Sequence, residues 1–287
     1  MVPNSSTRLC CLLGDPTRQS ISPYIHNKSF QALNLNYVYL AFRVGKEGLG
    51  DSLRSLRNLN FVGGNITMPL KEEIVSLIDE LDATAAKVGA CNTILNSKGK
   101  LFGFNTDVEG FARPLRRRIG SFRSIRSVLI GAGGAARAAA IALAEGGCRE
   151  VVILNRTVEK GRKLAEMLEG KYSINARASH LSQEELDRIV DPNLIINASP
   201  LDFRDAKIRF TRLGLNDGVV AYDMVYSHAE RSFFLGELEK GGATAIPGNE
   251  MLIEQAAISF EIWTGIKPDL SQMSIDALSA LEEMRRP

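Results

Sequence analysis

The chain has 287 residues, 45% of them hydrophobic, so it can bury a substantial core, and its length favours two domains over one. Thirty-five basic against thirty-three acidic residues leave a net charge of +2, which gives no general reason to expect nucleic acid or an anionic membrane as a partner. Cys10, Cys11, Cys91 and Cys148 show no C-x-x-C spacing, so neither a metal site nor a disulfide framework is expected. No apolar stretch reaches the roughly eighteen residues of a membrane span or forms a signal-peptide core, and the cytoplasm is the default expectation.

Residues 9–13 read as a first buried strand, closed by the loop signal Gly14-Asp15-Pro16. Ser20-Ile21-Ser22-Pro23 then stands at a strand-to-helix connection. One serine can cap the helix beginning near Pro23, and that N-terminus could hold a carboxylate. His26 and Asn27 follow on the helix, where a lone histidine reads as structural. Residues 37–42 have strand character, and Leu49, Leu53 and Leu56 recur at helical spacing.

Phe61-Val62 resumes a strand whose exit, Asn65-Ile66-Thr67-Met68-Pro69-Leu70-Lys71, turns Asn65 and Thr67 to one side. Pro69 is expected to open a helix with Ile74, Leu77, Ile78 and Leu81 as its apolar face. Lys71 then falls in the first helical turn, where the dipole disfavours a cation, which raises the question of what else it serves. Residues 89–104 read as a hairpin about the turn Asn96-Ser97-Lys98-Gly99. It delivers Asn105-Thr106-Asp107, with Asp107 as the cap of the next helix. Arg113, Arg116, Arg117, Arg118, Arg123 and Arg126 follow, a solvated helix and linker rather than an RNA-binding arm, since only Phe122 offers stacking.

The second half is organised around Gly131-Ala132-Gly133-Gly134-Ala135-Ala136-Arg137, between the apolar run Ser127-Val128-Leu129-Ile130 and an alanine-rich helix over 135–144. Gly131 permits a sharp turn, Gly133 lets backbone approach a pyrophosphate, and Ala136 lets helix and sheet pack closely. A phosphate would sit on the helix N-terminus. A second strand, residues 150–154, completes the βαβ unit that the fingerprint requires. It ends in Asn155-Arg156-Thr157 with Lys160 close behind, in place of the acidic residue of an NAD site, so NADP is the expected cofactor. A helix over 158–168, an amphipathic segment at 181–189, strands at 194–197 and 218–223, and helices at 231–240, 251–263 and 273–284 follow. Strands alternating with helices argue a parallel, doubly wound sheet.

Together these pieces resemble the shikimate dehydrogenase family over essentially the whole chain. The resemblance rests on Ser20 to Pro23 with His26-Asn27, Asn65 to Pro69 with Lys71-Glu72, Gly89-Ala90 with Asn92-Thr93, and Asn105-Thr106-Asp107. It continues through Gly131 to Arg137, Asn155-Arg156-Thr157, Ile196-Asn197-Ala198, Tyr222-Asp223-Met224 with Tyr226, and Gly248 to Gln255. It implies an α/β substrate domain over 1–107 completed by 247–287, and a Rossmann-type NADP domain over 108–246. It also implies reversible reduction of 3-dehydroshikimate to shikimate, a step of aromatic amino-acid biosynthesis, by a monomer or homodimer.

By that resemblance Ser20 and Ser22 hold the substrate carboxylate, and Asn65, Thr67, Asn92, Asp107 and Gln255 bind ring hydroxyls. Tyr226 lies on the substrate side, Lys71 paired with Asp107 moves the proton, and Gly131 to Ala135, Asn155, Arg156, Thr157, Lys160, Met224 and Gly248 serve the cofactor. The chain departs from the family at Ser199 to Phe203, where a Gly-Met pair is usual, and at Arg231-Ser232, where Thr-Pro is common. A quinate-using dehydrogenase is the nearest rival. A non-catalytic NADP-binding regulator would be expected to lose the Lys71 and Asp107 pair, and both are present.

Overall fold

Residues 9–13 carry no charge because the strand that contains them is covered on both faces. In the computed structural model they lie in β1 (Arg8–Gly14). Cys10 and Leu12 pack with Phe30, Tyr39, Val62, Phe260 and Trp263, while Cys11 and Leu13 face Leu49, Leu53, Leu56, Ile66 and Ile94. Alternate side chains of a strand point to opposite faces, so one apolar run serves two cores. The structure describes residues 2–59, 61–201, 203–204, 207–213, 215–226 and 232–285, so Asp202 and Arg231 lie outside the described residues.

From β1 the chain runs through α1 (Ser22–Ala32), β2 (Tyr37–Arg43), α2 (Leu49–Asn58), β3 (Phe61–Ile66), β4 (Glu80–Leu81), α3 (Ala83–Val88), β5 (Thr93–Ser97), β6 (Lys100–Phe104) and α4 (Asp107–Ile119). The first sheet has the order β2-β1-β3-β5-β6-β4, with β2, β1 and β3 parallel and β5 antiparallel to both β3 and β6. The β5-β6 hairpin turns at Lys98 and Gly99, both at positive φ, 53° and 84°, the conformation of a type I′ turn. On the edge strand β2, Asn27 donates to the Tyr39 carbonyl at 2.9 Å and accepts its N–H at 2.8 Å, which closes part of an open sheet edge.

The helix expected after Pro69 is reduced to one 3-10 turn at Glu73–Leu77, followed by the short strand β4. The cause is tertiary: the Asp79 N–H donates to the Leu101 carbonyl and the Asp79 carboxylate accepts the Leu101 N–H at 2.7 Å, which draws the segment to the sheet edge beside β6. Lys71 therefore sits in a turn and not in a helix, and the dipole consideration does not apply to it.

The chain continues with β7 (Arg126–Ile130), α5 (Gly134–Glu145), β8 (Glu150–Asn155), α6 (Val158–Tyr172), β9 (Asn175–His180), α7 (Gln183–Asp187), β10 (Leu194–Asn197), β11 (Val220–Asp223), α8 (Phe233–Lys240), β12 (Thr244–Ile246), α9 (Gly248–Thr264) and α10 (Leu270–Arg285). The second sheet is parallel throughout, in the order β12-β11-β10-β7-β8-β9. Strand order reverses between β7 and β10, the doubly wound arrangement in which ligands bind beyond the strand C-termini at the switch point. Ala136, Ala138, Ala139, Ala140, Ala142 and Ala144 of α5 are all buried, and their small size lets the helix lie close to the sheet. The chain divides into two units, Met1–Gly110 with Ile253–Pro287, and Phe111–Leu252, and both boundaries fall inside long helices.

Candidate active site

In the first unit, Lys71, Asn92 and Asp107 converge from the turn after β3, the start of β5 and the start of α4. Lys71 Nζ donates to Asp107 Oδ2 at 2.6 Å, and Asn92 Nδ2 donates to Asp107 Oδ1 at 2.8 Å. The Asp107 side chain is almost fully buried and that of Lys71 is one-fifth exposed, so the pair is shielded on the carboxylate side and reachable on the ammonium side. Asp107 is the first residue of α4 and not its cap. Its carboxylate points sideways to Lys71 and Asn92, and its own N–H is taken by Asn105 Oδ1 at 3.1 Å.

Asn92 is held from its other end, its Oδ1 accepting the Thr106 N–H at 2.8 Å. Gln255 of α9 approaches the same group, with Oε1 3.4 Å from Asn92 Nδ2. A Cβ at Gly110 would stand 2.8 Å from that of Gln255, so glycine is what permits this approach. Asn65 of β3 is buried, its Nδ2 donating to Thr93 Oγ1 at 3.0 Å and its Oδ1 accepting from Tyr39 at 2.9 Å. One lone pair on Oδ1 remains for a ligand. Thr67 is half-buried, and among the described residues its hydroxyl meets no protein partner. Helix α1 begins at Ser22, with Ile21 at its N-cap position and no side-chain cap there. The Ser20 hydroxyl accepts the Ser22 N–H at 3.2 Å. Tyr226 belongs to the second unit, where its backbone N would lie 2.7 Å from a Cβ at Gly248.

In the second unit the in-register residues Leu154, Ile130, Asn197 and Asp223 bring the ends of β8, β7, β10 and β11 side by side. Gly131 leaves β7 at φ 117°, and a Cβ there would come within 2.8 Å of the Ala198 carbonyl oxygen. Only glycine fits that turn. At Gly133, the N-cap of α5, a Cβ would meet no protein atom within 4 Å. The protein itself therefore does not require a glycine there, whereas a pyrophosphate approaching the free amides of Gly134 and Ala135 would. Ala132 precedes it as the linking residue of the loop. Asn155 ends β8 next to this loop, its Nδ2 donating to the Thr157 carbonyl at 2.8 Å, and Arg156, Thr157 and Lys160 are placed around the start of α6. These residues fit a dinucleotide carrying a 2′-phosphate.

Asn197 and Asp223 enter the sequence analysis only within motifs that carry the resemblance, and their buried pairing at the β10 and β11 ends was not read from them. Asn197 Nδ2 donates to Asp223 Oδ1 at 3.0 Å, and Asn197 Oδ1 accepts from the Ser199 hydroxyl at 2.8 Å. Burial pushes the Asp223 carboxyl up, against hydrogen bonds from Ser232, the Val225 N–H and Asn197 that pull it down. Met224 donates its N–H to the Asn197 carbonyl at 2.8 Å. The unusual segment after Ala198 is thereby anchored, at one end by Ser199 and at the other by Phe203, which packs in the core against Phe210 and Phe234. Polar residues ending two otherwise apolar strands were the available signal. A cavity of about 250 Å³ lined by Arg126, Glu150, Arg177 and Arg188 lies near the opposite, N-terminal ends of β7 and β8, away from the glycine turn.

Three family models match in order along the chain: the shikimate dehydrogenase substrate binding domain at residues 12–94, shikimate / quinate 5-dehydrogenase at 114–198, and the shikimate 5′-dehydrogenase C-terminal domain at 248–274. A shikimate dehydrogenase (NADP(+)) of Methanopyrus kandleri is 43% identical over 267 residues, covering 91% of this chain and 92% of that one. The chain belongs to the shikimate dehydrogenase family. Among solved structures, a shikimate dehydrogenase in complex with NADP+ superposes with a TM-score of 0.85 at 34% identity, covering 100% of this chain and 98% of the other. A Thermus thermophilus shikimate 5-dehydrogenase in complex with shikimate gives 0.83 at 33% identity, covering 96% and 100%. The two-unit α/β architecture described above is that of the family.

Proposed function

We propose that this protein is an NADP-dependent oxidoreductase interconverting shikimate and 3-dehydroshikimate, with the Met1–Gly110 and Ile253–Pro287 unit holding the substrate and the Phe111–Leu252 unit holding the cofactor. The observation that carries the reading is the Lys71, Asp107 and Asn92 cluster, an ammonium on a buried carboxylate with its outer side accessible. NADP supplies the hydride acceptor, or donor in reverse. In the oxidation direction Lys71 acts as the neutral amine, having first released a proton to solvent, and takes the hydroxyl proton of shikimate as the carbon–hydrogen bond is lost. In the reduction direction its ammonium gives a proton to the oxygen as negative charge develops there. Asp107 keeps the lysine in place, and Asn92 fixes the carboxylate so that Oδ2 faces Nζ.

Ser20 and Ser22 at the start of α1 suit the substrate carboxylate, while Thr67, Asn92, Gln255 and the free lone pair of Asn65 suit ring hydroxyls. Tyr226 is assigned to the substrate side, and Met224 and Gly248 to the nicotinamide side. Arg156, Thr157 and Lys160 supply positive charge and donors for a 2′-phosphate. The test is spectrophotometric: NADP reduction at 340 nm with shikimate, with quinate, and with NAD in place of NADP. Turnover with shikimate and NADP that exceeds every other pairing supports the reading. Preference for quinate, or no turnover with either acid, overturns it.

A further inference from the structure

We propose that Tyr39 and Ser259 are positioning residues that fix the ligand-facing amide of Asn65, an inference that rests on reading the site as the shikimate site. Both side chains have no exposed surface, and neither is among the residues assigned to substrate, proton transfer or cofactor. They meet at Asn65. Its Nδ2 lies 3.0 Å from Ser259 Oγ, 3.0 Å from Thr93 Oγ1 and 3.2 Å from the Asn92 carbonyl oxygen, while its Oδ1 accepts from the Tyr39 hydroxyl at 2.9 Å. Turning the amide over would set Oδ1 against the Asn92 carbonyl, two acceptors with no proton between them. The network therefore admits one orientation, with a single lone pair of Oδ1 left to meet a ligand.

Ser259 adds a second link. It lies one helical turn after Gln255 on α9, and its hydroxyl donates to the Gln255 carbonyl at 3.0 Å. A helical serine bonded back in this way satisfies itself and needs nothing more. Here the same oxygen also stands 2.8 Å from Thr93 Oγ1 and 3.3 Å from Thr106 Oγ1. With its one proton on the Gln255 carbonyl, Ser259 accepts from Asn65 and from Thr93, which gives its own single proton to this shorter contact. One buried hydroxyl thus holds the Asn65 amide together with Thr93, which accepts from that same amide, and fastens both to the backbone of α9 at the Gln255 carbonyl. Buried hydroxyls cost stability unless paired, and an alanine at 259 would let helix and sheet pack without that demand. What the hydroxyl supplies is orientation.

The experiment uses the full-length enzyme with Ser259→Ala, the near-isosteric Tyr39→Phe, and the double variant, with KM for shikimate, KM for NADP, kcat and thermal midpoint measured for each. Each single change is expected to raise KM for shikimate about two- to tenfold, the worth of one neutral hydrogen bond, with kcat and KM for NADP unchanged within about twofold. Because both act through the Asn65 amide, the double variant should depart from the product of the single effects. Unchanged KM for shikimate in both single variants, equal changes in shikimate and NADP parameters, or a simple product in the double variant each overturns the proposal. Absence of shikimate turnover in the unaltered enzyme would overturn the functional reading itself, and is told apart because no variant is needed to see it.

Discussion

His26 offers a stability prediction whose size follows from its surroundings. Its imidazole has no exposed surface, lies 4.6 Å from the Tyr39 ring and 5.1 Å from that of Trp263, and neither ring nitrogen has a hydrogen-bond partner among the described residues. Burial pushes its pKa down from 6.5 to about 3, so the folded chain keeps the ring neutral while the unfolded chain protonates it. A base with a depressed folded pKa contributes no penalty above about 6.5, and stability falls as the pH drops from there toward 3, because the unfolded state binds the extra proton. At about 1.36 kcal/mol per unit, acidification from pH 6.5 to 4.5 should cost roughly 2–3 kcal/mol through this residue. The only tryptophan of the chain, Trp263, is packed in the same cluster, so its fluorescence follows unfolding of this unit in urea. The parent should lose roughly 2–3 kcal/mol more than His26→Leu between pH 7 and 4.5. Parallel pH profiles for the two proteins would refute the reasoning.

The glycine turn yields a contrast: Gly131→Ala, strained at φ 117° against Ala198, should lower the thermal midpoint, whereas Gly133→Ala should leave it unchanged and weaken NADP in a fluorescence titration. A loss of stability at Gly133 without a loss of affinity would count against the pyrophosphate site. Arg156→Asp should raise KM for NADP far more than KM for NAD, and equal losses would remove the 2′-phosphate assignment. Changing Ser20 and Ser22 together to alanine should raise KM for shikimate, by about 0.5–1.5 kcal/mol for each neutral hydrogen bond, with cofactor affinity unchanged. A fall in thermal midpoint alone would mean that the serines only shape the start of α1.

The glycine fingerprint and the apolar strands were legible because their signals are local. Gly131 needs its φ whatever lies elsewhere, and β1, β7, β8 and β10 are buried on both faces, so their composition announces them. Strand β9 was not seen: Asn175-Ala176-Arg177-Ala178-Ser179-His180 is an edge strand with small and polar side chains, and only its pairing with β8 makes it a strand. The stretch from Ile74 to Leu81 has helical spacing, yet Asp79 pairing with Leu101 takes its end into the sheet. The same holds at the site. Lys71 and Asp107 were visible as residue types with a family resemblance, but their contact spans 36 positions and no local pattern encodes it. Ser259 and Tyr39 were invisible for the same reason, since a serine on an apolar helix and a tyrosine in a strand read as ordinary core until their hydroxyls are placed.

The central claim is that Lys71, held by Asp107, moves the proton. Steady-state kinetics of Lys71→Ala with shikimate and NADP, on protein that keeps its thermal midpoint and still binds NADP, test it most directly. A group that acts chiefly in the transition state should, when removed, lower kcat and kcat/KM by similar factors, on the order of 10²–10⁴, with KM for shikimate nearly constant. Near-normal kcat, or a loss confined to KM, would contradict the claim.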